Sequence, residues 1–97
     1  MADEKITVEN VNTPGKTTRV DAAKYHAMRD AMLAVLPVGA PGLTAAQVKD
    51  RVKPDLPEDL FPGGATAGWW LKCVQLDLEA KGMMVRHKTK PLKFSRS

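Results

Sequence analysis

Cysteine is almost missing from this chain. With Cys73 alone, neither an internal disulfide nor a cysteine-based zinc site can be built, which fits a reducing compartment and makes a cytoplasmic protein the expectation. Long apolar runs are missing too: no stretch approaches the roughly 20 residues that a membrane helix requires. The first residues, Met-Ala-Asp-Glu-Lys, mix charges and do not form a basic flank before a hydrophobic segment, so no leader and no membrane partner are expected. Seven prolines and seven glycines are too few for a collagen-like or disordered chain. What remains, 97 residues of which 43% are hydrophobic and 27% charged, is the size and balance of one small globular domain with one core.

Acid is missing from one end. No acidic residue follows Glu79, and the last seventeen positions hold Lys81, Arg86, Lys88, Lys90, Lys93 and Arg96. The other eighty positions carry nine basic and all 11 acidic residues, so the net charge of +4 comes from the C-terminus. A polyanion or an acidic surface suits such an end, although a solvated edge with solubilising lysines is the plainer alternative.

Groups for catalysis are also scarce. Gly15-Lys16-Thr17 looks like the end of a phosphate-binding loop, but that motif needs its first glycine where Asn10 stands and a helix directly after it. His26 and His87 have no ligand-type residues at metal-binding spacing, and Cys73 reads as a small buried hydrophobe. Asp55, Glu58 and Asp59 read as a surface cluster or a helix start. The expectation is a protein that is not an enzyme, with no catalytic residue, metal or cofactor.

The elements follow from spacing and turn chemistry. Ile6–Val11 and Thr17–Val20 read as two strands, joined through Asn12-Thr13-Pro14-Gly15-Lys16, where proline then glycine suits a type II turn. Asp21 caps a helix whose stripe is Tyr25, Met28, Met32 and Leu36 and which Pro37 ends; Ala27, Ala31 and Ala34, with Lys24 and Asp30, make a flat opposite face. A turn at Val38–Gly42 leads to Thr44-Ala-Ala-Gln47, a capping box opening a short helix with Val48 and Val52 inward and Pro54 as its stop.

In the connector from Asp55 to Ala65, Leu56, Leu60 and Phe61 tuck against the core, with one helical turn at Pro57–Phe61. Thr66 caps the longest helix, Ala67–Lys81, which Gly82 ends. Trp70, Leu71, Val74 and Leu78 form its inner face, and Lys72, Gln75 and Glu79 its polar one. Trp69, Cys73 and Leu76 form a third, apolar flank. Cover by the chain's own hairpin and connector is the favoured reading, and a partner is the alternative. Met83–His87 and Leu92–Ser95 read as a basic hairpin, with Val85, His87, Leu92 and Phe94 on one side and Arg86, Lys88, Lys93 and Ser95 on the other.

From Asp21 to Ser97 this order resembles a winged helix-turn-helix domain. The resemblance rests on Leu78-Glu79-Ala80-Lys81-Gly82 followed by an apolar strand with Arg86 and a Pro91-Leu92-Lys93-Phe94 return strand. The whole chain also resembles a small bacterial family of unknown function, through Asn10-Val11-Asn12-Thr13-Pro14-Gly15 and Phe61-Pro62-Gly63-Gly64 before Trp69-Trp70. The winged resemblance implies a three-helix core (21–82) and a C-terminal wing hairpin (83–97); with the N-terminal β-hairpin arm (1–20) read from the residues, the expected fold is α+β in one domain. The winged resemblance further implies a third helix entering the major groove and a wing on phosphates. Double-stranded DNA is then the expected partner. Arg86, Lys88, Lys90 and Lys93 would hold phosphates while Lys72, Gln75 and Thr66 approach the groove, giving non-specific or weakly specific binding. The alternative is an interaction or homodimerisation module that works through the Trp69, Cys73 and Leu76 flank or the alanine face, with no nucleic-acid role.

Overall fold

A computed structural model describes residues 4–39 and 41–96. The first three residues of the arm, Ala40 of the turn after the first helix, and Ser97 of the C-terminal hairpin lie outside the described residues. The architecture is α+β, with three α-helices and two small antiparallel sheets.

Strands β1 (Lys5–Glu9) and β2 (Thr17–Asp21) pair with Ile6 opposite Val20 and Val8 opposite Thr18. Their turn is the expected one. Lys16 N–H donates to the Thr13 carbonyl at 3.1 Å, and Gly15 takes the φ of +88° that type II demands of its third residue. β1 stops at Glu9, however, two residues short of the expected end, because the Asn10 carbonyl and side chain turn back to Thr13 N–H and Asn12 N–H.

Helix α1 (Ala22–Val35) starts where Asp21 Oδ1 accepts Lys24 N–H at 3.0 Å, and it ends as Leu36 goes extended before Pro37. All four expected stripe residues, Tyr25, Met28, Met32 and Leu36, are buried. Each such side chain contributes roughly 1.5–3 kcal/mol when removed from water. The two-residue strand β3 (Leu43–Thr44) leads into α2 (Ala45–Val52), whose capping box is complete: Thr44 Oγ1 accepts Gln47 N–H, and Gln47 Oε1 accepts Thr44 N–H. Gly42, with φ of +79°, lets the backbone enter β3 beside β5; a Cβ there would overlap the Phe94 carbonyl.

In the connector Leu56 and Phe61 are buried, and Phe61 N–H closes a turn on the Pro57 carbonyl. Glu58 has a local use, since its Oε2 accepts Gly63 N–H at 2.7 Å in the tight turn Pro62–Gly64. Helix α3 (Ala67–Ala80) follows, with Trp70, Leu71, Val74 and Leu78 inward. Thr66 does not cap it. Its φ is +60°, and its hydroxyl bonds the Ala65 carbonyl, because a left-handed residue turns its side chain away from the first-turn amides.

Strands β4 (Met84–His87) and β5 (Lys93–Arg96) complete a three-stranded sheet in the order β3-β5-β4. Here the alternation differs from the sequence reading. Arg86 pairs with Phe94 and Met84 with Arg96, so Met84, Arg86 and Phe94 share one face, while Val85, His87 and Ser95 share the other. Met83 N–H is used by the Leu78 carbonyl at the end of α3, which makes Met84 the first inward residue. Leu92 lies outside the strand and is exposed, whereas Ser95 is buried against His87, with Oγ 2.8 Å from Nε2.

Candidate nucleic-acid interface

Two carboxylates on the C-terminal half of α3 are taken up by the protein itself. Asp77 is fully buried. Its Oδ1 accepts the Glu9 backbone N–H at 2.8 Å, and its Oδ2 accepts the Tyr25 hydroxyl. Lys81 Nζ, one helical turn on, lies 2.8 Å from Oδ1 and 2.9 Å from Oδ2. One side chain thereby joins the first hairpin, α1 and α3. Burial first, then the hydrogen bond to Asp77 and its charge, push the Tyr25 phenol well above its ordinary value of 10.0, so the hydroxyl keeps its proton and keeps donating. The sequence reading passes over Asp77. The available signal is a carboxylate one turn after Cys73 and two after Trp70, inside the apolar arc, together with the sole tyrosine on the buried stripe of α1.

Glu79 is similarly occupied. Arg86 grips it with a fork, Nε to Oε1 at 2.8 Å and Nη2 to Oε2 at 3.0 Å, and Gln75 Nε2 adds a bond at 3.1 Å. Those hydrogen bonds push the Arg86 guanidinium further up. Of the expected phosphate and groove contacts, Arg86 is thus engaged by Glu79, and Gln75 is buried beside it, off the exposed polar face. Thr66, Lys72, Lys88 and Lys90 are exposed, and Lys93 is half-buried at the head of β5. Among the described residues, none of Lys72, Lys88, Lys90 and Lys93 forms an ion pair.

Between the start of α2, α3 and the loop from Lys88 to Leu92 runs a groove of about 500 Å³. Leu71, Leu92 and Phe94 give it an apolar floor, and its charged lining residues, Lys49, Lys72 and Arg86, are all basic. Lys49 is a member the sequence reading lacks. Its amine lies against α3 at Gly68, where a Cβ would stand in ordinary contact, 3.5 Å from Lys49 Nζ. Lys90 directly precedes Pro91, which also walls the groove.

A smaller groove of about 260 Å³ separates the β1–β2 hairpin from α3. The hairpin half-buries Cys73 and Leu76, as the reading of cover by the chain itself expects, but Trp69 stays 59% exposed. Burial and the neighbouring Asp77 push the Cys73 thiol up, which makes it a poor nucleophile. The alanine face of α1 borders a cavity of about 310 Å³ with Asp55 and Pro57 opposite. Among the described residues, no group of three or more His, Cys, Asp and Glu is placed to hold a metal, and no helix is long and apolar enough to cross a membrane.

A family model described as a family of unknown function, DUF6958, matches residues 5–94. No curated protein and no solved structure matches the chain.

Proposed function

We propose, from the premise that the chain belongs to the DUF6958 family of unknown function and inherits no activity from it, that this is a winged-helix protein gripping double-stranded nucleic acid mainly by its phosphates. The observation that carries the reading is the groove of about 500 Å³ whose charged lining residues are all basic, extended by the exposed Lys88 and Lys90 on the adjoining loop. Supporting it, the element order α1, β3, α2, α3, β4, β5 is compatible with a winged helix, in which the loop from Lys88 to Leu92 would take the place of the wing.

Lys49, Lys72, Lys88 and Lys90 are the phosphate contacts in this reading, with Lys93 behind them; Arg86 holds the wing strand to α3 through Glu79. Along the larger groove the exposed residues of α3 are Gly68 and Lys72, so base edges find one side-chain donor there and affinity depends little on sequence. Four phosphate contacts give a log–log salt slope of about 3–4 in magnitude. Titrating a random duplex at two salt concentrations tests this. Changing Lys88 and Lys90 together to Glu lowers affinity at least about tenfold and the slope by about 2. Absence of duplex binding at low salt overturns the reading.

A further inference from the structure

Trp69 is the aromatic residue that the fold leaves open. Tyr25, Phe61, Trp70 and Phe94 are each 7% exposed or less, against 59% for Trp69. The ring is nevertheless held in place: it packs edge-on with Trp70, centroids 5.0 Å apart at 79°, an arrangement that lays no second ring flat over it. It walls the groove of about 260 Å³, too small for an extended ligand but roomy enough for one planar ring and its sugar.

The remaining lining states what kind of ring. Val8, Val20 and Leu76 are apolar, Asn10, Thr13 and Thr18 offer hydrogen-bonding groups, and Lys16 and Lys72 supply two amines against the single acid Glu9. That set suits a flat, hydrogen-bonding heterocycle attached to negative charge. Lys72 also lines the larger groove, so a phosphate chain lying there reaches the smaller one across a single side chain.

We infer that the hairpin groove receives one unpaired base, stacked on Trp69 with its flanking phosphates on Lys16 and Lys72, so that the substrate class is a duplex bearing a single-stranded tail. This rests on the nucleic-acid reading above and extends it. Stacking of one base on an aromatic side chain corresponds to about tenfold in affinity.

The test compares a blunt duplex with the same duplex carrying a short oligo-dT tail, using the full chain, Trp69→Ala and Trp69→Phe. The tailed duplex binds the unaltered chain about tenfold tighter, Trp69→Ala removes that gain while leaving blunt-duplex affinity in place, and Trp69→Phe retains most of it. Tryptophan emission is quenched by the tailed duplex and not by the blunt one. Equal affinity for the two duplexes, or an equal loss on both in Trp69→Ala, overturns the inference while the duplex grip stands. Failure of both duplexes to bind overturns both readings. A species of doubled mass in light scattering that Trp69→Ala splits makes the indole a contact between copies and likewise overturns the inference.

Discussion

The two halves of α3 treat polar side chains in opposite ways. Toward its C-terminus, Asp77 and Glu79 are enclosed and bonded to Tyr25, Glu9, Lys81, Gln75 and Arg86. Toward its N-terminus, Lys72 stands open in the groove that Lys49 also lines, and none of that groove's lining residues is acidic. The difference teaches that net charge is a poor guide to available charge. Lys81 and Arg86 belong to the basic C-terminal run, yet each is already held by a carboxylate of the same helix, whereas among the described residues Lys49, Lys72, Lys88 and Lys90 form no ion pair.

The contrast can be broken from the enclosed side first. Asp77→Ala leaves the Tyr25 hydroxyl and the Glu9 amide without their acceptor and costs about 3–5 kcal/mol. For a domain whose whole stability is of order 5–15 kcal/mol, a urea titration shows this as a large drop in the midpoint.

Tyr25→Phe removes one arm of the same cluster and costs about 1.5–3 kcal/mol at neutral pH. Its effect depends on pH. The folded phenol holds its proton above the ordinary value of 10.0, so the stability it contributes is complete below pH 10 and is lost as the pH climbs from there toward the raised folded value. The gap between the unaltered chain and Tyr25→Phe therefore narrows on the alkaline side, measured by denaturation at neutral pH and above pH 10.

The smallest effect sharpens the comparison by moving one group from the enclosed set to the open one. Glu79→Ala costs about 1 kcal/mol, because Arg86 is partly exposed and can turn to water. It also releases a guanidinium into the larger groove, and duplex binding tightens with a salt slope steeper by about 1. Unchanged slope with lowered stability would leave Arg86 a structural residue only.

Much of the fold is legible in the sequence because local chemistry decides it. The Pro14-Gly15 turn, the Asp21 cap, the Thr44–Gln47 capping box and the stops at Pro37 and Gly82 each depend on a few adjacent residues, and the structure has them. Features that depend on distant partners are read less well. Thr66 looks like a cap until the glycine turn before it sets a left-handed φ. Met83-Met84-Val85 is apolar at either parity, so only the bond from Met83 to Leu78 decides which residue faces inward. At the candidate site, the exposure of Lys72, Lys88 and Lys90 follows from the sequence pattern, whereas Lys49 and the capture of Arg86 require knowing that α2 and β4 both lie against α3.

The bond between Asp77 and the Glu9 amide fastens the arm to the very helix whose outer side that arm walls. Core and cleft are consequently not independent compartments. A guest bound between arm and helix would stabilise the same docking that the Asp77 bond stabilises, and by reciprocity loosening that bond at Tyr25, on the far side of the carboxylate, would weaken the hold on the guest.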